Sequence, residues 1–182
     1  PHQWVGVFPA LHCFCTTDLS AFYFDVRKDA IYCDGPASRR RRASRTVLDI
    51  LHRALCTWLA PVLVFTAEEA WTSRFEAANS ETAGSGTVGS VHLEAFLTPD
   101  AAWRDDTLAD RWTRLRGVRR IVTTELEAAR RAGIIGASLE ARIRLPLSQN
   151  ERTAFGDVDW EELAIVSQAE IEVLVSAPSI YL

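Results

Sequence analysis

Apolar residues recur at three- and four-residue spacing along most of this chain, and at two-residue spacing only near its end. Phe8, Leu11, Cys15, Leu19, Phe22 and Val26 predict a helix from about Pro9 to Tyr32, with Pro9 in its first turn. Tyr23 and Ala30 widen that stripe, and Phe24 points away from it. Asp34-Gly35-Pro36 stops the helix and turns the chain. A second helix, from about Ala37 to Leu59, carries Val47, Leu48, Leu51, Leu55, Trp58 and Leu59 on one face and ends at Pro61. Thr66-Ala67-Glu68-Glu69 reads as a capping box opening a short helix to about Phe75, with Trp71 as its anchor. Glu76 to Ser90, rich in Ala, Gly, Ser and Thr, reads as a flexible loop. Val91 to Phe96 alternates and is expected to lie extended. A third long helix, about Asp105 to Ala132, has the stripe Leu108, Trp112, Leu115, Val118, Val122, Leu126 and Ala129. Arg130, Arg131 and Gly133 suit its C-terminal end.

After Gly136 the period falls to two. Leu139, Ala141, Ile143 and Leu145 alternate with Glu140, Arg142 and Arg144, and Ile171, Val173 and Val175 alternate with Glu170 and Glu172. Two half-buried strands are expected. If they pair, Arg142 and Arg144 face Glu170 and Glu172. Between them Asp159-Trp160-Glu161-Glu162 caps a short helix containing Leu163. The fold class is therefore mainly α: a helical bundle over 1–133, with its loop at 76–90, followed by a small α+β subdomain over 134–182.

The chain has 182 residues, 48% apolar and 24% charged, which is ordinary globular composition. No uninterrupted apolar run approaches the roughly 20 residues that span a bilayer, and no signal-peptide pattern opens the chain. It starts at Pro1 and has no Met, so it reads as part of something longer. The four cysteines, Cys13, Cys15, Cys33 and Cys56, form neither a disulfide framework nor a Cys-x-x-Cys pair, and are expected to be free, buried thiols in a reducing compartment.

A net charge of −4 disfavours a polyanion partner only as an average. From Pro146 onward there are seven acidic residues and one basic one, whereas Arg111 to Arg120 holds five arginines and no acid. Five more arginines lie between 39 and 45, in the first turns of the second helix. Cations there oppose the positive pole of the helix by a few tenths to about 1 kcal/mol each. Such a block is either a solvated helix start or a site that expects an anion. Arginine forks match phosphate oxygens, so an RNA contact is preferred. Four successive arginines span a whole turn, and at most two or three can face one partner. In the second cluster Arg116 and Arg120 share the polar side, while Arg119 falls in the apolar stripe, so internal pairing with an acid competes with RNA. Phe24, Trp103 and Trp112 could stack bases, but core packing is the plainer reading of each. His12, Cys13 and Cys15 do not converge as zinc ligands would on a helix, and His92 reads as structural.

Several stretches resemble one family in order. Asp18-Leu19-Ser20-Ala21-Phe22-Tyr23-Phe24-Asp25-Val26-Arg27-Lys28-Asp29 followed by Tyr32-Cys33-Asp34 is similar to a segment of bacterial isoleucyl-tRNA synthetases. Leu11-His12-Cys13-Phe14-Cys15 resembles their His-Asn-Phe-Cys, with Cys13 in place of Asn. Arg40 to Leu48 fits the helix that follows. Leu59 to Trp71 resembles their Pro-x-x-Pro-[His/Phe]-Thr-Ala-Glu-Glu-x-Trp stretch, with Val64 where the second Pro is usual. Ser90-Val91-His92-Leu93 and Ile135-Gly136-Ala137-Ser138-Leu139-Glu140-Ala141 match two further motifs.

The resemblance implies the helical anticodon-binding module of a cytoplasmic class I synthetase. Its partners would be the tRNA(Ile) anticodon stem-loop and the other domains of the parent, with no membrane. The His-Ile-Gly-His and Lys-Met-Ser-Lys-Ser motifs of the catalytic domain are not in this stretch. No catalytic residue, metal ligand or cofactor is therefore assigned to it, and ATP with magnesium belongs to the parent. The alternative is a helical scaffold that docks other domains and touches RNA little. The candidate RNA-binding residues are Arg39, Arg40, Arg41, Arg42, Arg45, Arg116 and Arg120.

Overall fold

The computed structural model describes residues 4–81 and 89–173. Helix runs without a break from the start of that range to Tyr32: α1 (Trp4–Cys13), wider π-helical turns over Phe14–Phe24, then α2 (Asp25–Tyr32). The start is earlier than expected, and Pro9 lies inside α1. Val5 and Val7 already belong to the helix, and one missing amide this near its beginning interrupts a single bond. By length and composition alone, the helix Val5–Tyr32 is also apolar enough to cross a membrane. Its uninterrupted apolar runs stay short, because Thr16, Thr17 and Asp18 break them.

The chain groups into two compact units, Pro1–Lys28 with Arg104–Leu182, and Asp29–Trp103. The boundary read from sequence at 133/134 lies inside the first unit. That unit is held by α5 (Asp106–Arg131), started by Asp105, whose carboxylate accepts from the Leu108 amide at 2.9 Å. Its end is closed by Gly133 at φ 70°, with the Ile134 amide returning to the Ala129 carbonyl at 3.0 Å. Leu115, Val122 and Leu126 of α5 share one core with Val26, Ile143, Leu145 and Trp160. Leu115 is completely buried.

Strand β1 (Arg142–Leu147) shows the expected alternation, with Ile143, Leu145 and Leu147 buried. It pairs in parallel with β2 (Gln168–Val173), Arg144 standing opposite Glu170. Parallel pairing needs a crossover. It is made by α6 (Gln149–Phe155), which the periodicity does not reveal, and α7 (Trp160–Ala164), which its Asp159 cap does. Ser148 and Glu151 form a reciprocal capping box on α6, and Asp159 caps α7. Arg142 pairs with Glu170, and Arg144 lies 3.5 Å from Glu170 and 3.8 Å from Glu172. Val175 lies outside the described residues.

In the second unit α3 (Arg39–Leu59) and α4 (Val64–Glu81) close over Cys56, Ala60, Ala67, Trp71 and Val91. Thr66 does not cap α4, because the turn at Leu59–Leu63 starts the helix at Val64, three residues earlier than that cap would, the Ala67 amide bonding to the Leu63 carbonyl at 2.8 Å. The stretch expected as a loop from Glu76 begins as helix, and residues 82–88 lie outside the described range. Val91–Leu93 is a single 3-10 turn rather than extended chain. Its cause is Glu68, whose carboxylate accepts from Ser90 Oγ at 3.0 Å and the Val91 amide at 2.9 Å. Trp71 Nε1 donates to the Gly89 carbonyl at 2.9 Å, and His52 stacks on the Trp71 ring. All four cysteines are free. Only Cys56 is buried, its thiol pushed above its ordinary range by desolvation; Cys13 and Cys33 are exposed, contrary to expectation. The architecture is mainly α with a small α+β part.

Candidate nucleic-acid interface

The turn between α2 and α3 puts one acid against the arginine block. Asp34 accepts from both Nε and Nη2 of Arg40, at 3.0 and 2.7 Å, and from Ser38 Oγ at 2.8 Å. Arg41 Nη1 donates to the Asp34 carbonyl at 2.6 Å, and Ser38 Oγ caps the Arg41 amide. The bond from Arg40, then that from Ser38, holds the Asp34 carboxyl at about 2. A carboxylate beside the first turn offsets the unfavourable placement of cations at the helix start. Part of the anomaly is therefore answered inside the protein. Read from sequence, Asp34 is only a turn former. The available signal is an acid six residues before an arginine, across a Ser cap.

Arg39, Arg42 and Arg45 remain. Their side chains are exposed and make no hydrogen bond or ion pair among the described residues. Spaced three apart, they form one drifting row that covers about 9 Å of helix axis at 1.5 Å per residue. Ser44, on the opposite side of these first turns, is buried. The block thus divides: two arginines lock a turn, and three point to solvent on a common row.

The second cluster divides as well, within the other unit. Arg116 Nη1 donates to Asp18 at 2.6 Å and its guanidinium lies 4.7 Å from the Phe22 ring centroid. Arg119 donates to Asp25 at 2.9 Å and to the Leu163 carbonyl at 2.8 Å, and only 15% of its side chain is exposed. Arg111 donates to the Phe155 carbonyl. Arg114 and Arg120 are exposed and make no side-chain hydrogen bond or ion pair among the described residues. Arg116, Arg119 and Arg120 line an open cleft of about 510 Å³ between α5 and the π-helical turns of the N-terminal helix, with Gly117 at its floor. A Cβ at Gly117 would meet nothing within 4 Å. In a helix interior glycine costs roughly 0.5–1 kcal/mol relative to alanine, and no packing demand here requires it.

Of the three aromatic candidates, Trp112 packs on the core, edge-to-face with Phe22 at 6.0 Å. Phe24 is 43% exposed and Trp103 57%, so these two are open to a partner.

Residues 6–145 match the family model described as the anticodon-binding domain of tRNA ligase. An isoleucine–tRNA ligase of Gluconobacter oxydans is 64% identical over 173 residues, 95% of this chain and 17% of that protein. One of Rhodopseudomonas palustris is 46% identical over 168 residues, covering 92% and 16% respectively. One of Zymomonas mobilis is 42% identical over 163 residues, covering 87% and 16%. The chain therefore spans about one sixth of the length of the curated relatives it matches.

Proposed function

This chain belongs to the anticodon-binding domain family of tRNA ligases, and from that premise we propose that it holds the anticodon stem-loop of tRNA(Ile) for a parent isoleucine–tRNA ligase. The parent attaches isoleucine to its tRNA in the cytoplasm at the expense of ATP, with magnesium, in segments other than these 182 residues. The row of Arg39, Arg42 and Arg45 carries the reading. Three unneutralised guanidinium groups on one exposed row grip phosphates. Arg40 and Arg41 act one step back, by fixing the turn that presents the row. Arg120 adds a phosphate contact in the other unit, while Arg116 is held by Asp18 and shapes the surface beside it.

Phosphate contacts release counterions, so binding of the chain to a tRNA(Ile) transcript should weaken steeply with salt. Changing Arg39, Arg42 and Arg45 to Gln should lower the salt slope by about one for each phosphate no longer neutralised, and should weaken non-cognate tRNAs alike. A slope that survives the triple change would remove this row from the interface.

A second role is docking to other domains of the parent. Val62, Leu63, Val64, Phe65, Leu93 and Phe96 are all more than 40% exposed, and His92 Nε2 lies 3.3 Å from the Val64 carbonyl, which joins the two stretches. An apolar patch of this kind marks an interaction surface.

A further inference from the structure

The cleft beside α5 has features that a row of phosphate contacts does not need. We propose that it receives one unstacked nucleotide of the bound RNA, with the phosphate on Arg120 and the base laid over Gly117 against the Arg116 guanidinium. This rests on the RNA-binding reading above and adds a site to it.

Three observations carry it. The first is charge without neutralisation at one point. Arg116 and Arg119 are matched by Asp18 and Asp25, but Arg120 is exposed and makes no side-chain hydrogen bond or ion pair among the described residues. None of the residues lining the cleft is a carboxylate. An anion entering it meets a cation that has no internal competitor.

The second is a prepared stacking plane. Asp18 holds the edge of the Arg116 guanidinium at 2.6 Å and the Phe22 ring lies against one of its faces at 4.7 Å. A guanidinium fixed at its edge and backed on one face loses little freedom when a ring settles on the other. Bases stack on guanidinium planes for the same reason that they stack on aromatics.

The third is Gly117. It lies one residue from Arg116 and three from Arg120, in the middle of a 26-residue helix. The space above its backbone is open, so the absence of a side chain is not forced by a neighbour. It leaves a flat floor on which a planar ring can approach the helix. Thr113 and Thr123 stand at the two ends of the cleft, and each hydroxyl donates to its own helix, at 2.9 and 3.0 Å. Their oxygens are left to accept from a ribose hydroxyl or an exocyclic amine. Stacking of this kind tolerates any base, so the site contributes affinity with weak sequence preference.

The test uses tRNA(Ile) transcripts carrying 2-aminopurine at one anticodon-loop position at a time, titrated with the chain at several salt concentrations. One position should change its fluorescence on binding. Gly117→Leu fills the floor at a place where the helix has room. It should abolish that change and weaken binding about tenfold, while the salt slope stays the same. Arg120→Gln should weaken binding several-fold and lower the slope by about one. Gly117→Ala, which fills little of the floor, should behave as the original chain, and urea unfolding should show every variant folded. A transcript that binds with its full slope and is indifferent to Gly117→Leu and Arg120→Gln would overturn the cleft but leave the arginine row of α3 in place. Binding without a fluorescence change at any loop position would also overturn it, and would leave the cleft to an acidic protein segment. No binding by the unaltered chain would remove both readings together.

Discussion

The beginning of α3 and the middle of α5 are both dense in arginine, yet the two regions use it differently. At α3 the acid that binds Arg40 is Asp34, six residues away, and the ion pair locks a local turn. At α5 the acids that bind Arg116 and Arg119 are Asp18 and Asp25, 98 and 94 residues away, and the pairs tie the N-terminal helix to the core. A run of cations is therefore not a binding surface as such. What counts is the remainder after internal pairing: Arg39, Arg42 and Arg45 on one helix, Arg114 and Arg120 on the other.

The largest expected effect tests the tertiary half of that contrast. Arg119→Ala removes partners from both Asp25 and the Leu163 carbonyl at a site where the arginine itself is mostly buried. Loss of a partly buried, doubly bonded cation should destabilise the chain by about 2–3 kcal/mol, seen as a lower urea midpoint. The salt slope of tRNA binding should not change. If the slope fell and the midpoint held, the two classes of arginine would have to be exchanged.

Asp34→Asn tests the local half through pH. The Asp34 carboxyl lies at about 2 in the folded chain against an ordinary 3.8. A lowered value means that the folded state binds the proton less readily, so the pair's contribution is complete above about pH 4 and is lost as pH falls through about 2. Asp34→Asn should flatten the acid limb of the stability curve in that window. It should also loosen Arg40, while Arg41 keeps the Asp34 backbone carbonyl as its acceptor, so that tRNA binding changes in strength while the α5 cleft responds to its own variants as before. An unchanged acid limb would mean that the Arg40 fork contributes nothing in solution.

This contrast also sets what could be read from sequence. The extent of α5 was legible almost to the residue, because its stripe from Trp112 to Ala129, its Asp105 cap and its Gly133 end are encoded within one segment; Leu108, expected in that stripe, is exposed instead. The charge pairing between β1 and β2 was legible from alternation, and their direction was not, since α6 is too short to show a period. The candidate interface was legible as a list of arginines, and the division of that list was not. Asp34 lay close enough in sequence to be found. Asp18 and Asp25 are assigned to Arg116 and Arg119 only by tertiary packing, and the cleft with its Gly117 floor exists only once two helices lie side by side. The 3-10 turn at Val91 escapes the periodicity for a related reason, since it is settled by Glu68 reaching Ser90 and Val91 from α4.

A smaller effect concerns Gly117 alone. Gly117→Ala should stabilise α5 by about 0.5–1 kcal/mol, because alanine loses less backbone freedom and meets no neighbour. Thermal unfolding reads it directly. A destabilised variant would mean that the floor of the cleft is occupied in the folded chain.

The smallest effect is expected where charge pairs are most conspicuous. Arg142 and Arg144 stand against Glu170 and Glu172 on the exposed face of the two-stranded sheet, and each arginine keeps more than half of its side chain in solvent. Such pairs are screened by water and salt and must immobilise long side chains, so an exposed pair contributes from nothing to about 1 kcal/mol. Arg144→Ala should cost at most about 0.5 kcal/mol, and less still at high salt. It contrasts with Arg119, which also pairs with a carboxylate but bonds a backbone carbonyl as well and has little exposure. If Arg144→Ala matched Arg119→Ala in the urea midpoint, burial would not be what separates the structural arginines from the rest. The assignment of Arg39, Arg42, Arg45 and Arg120 to an external anion would then lose its premise.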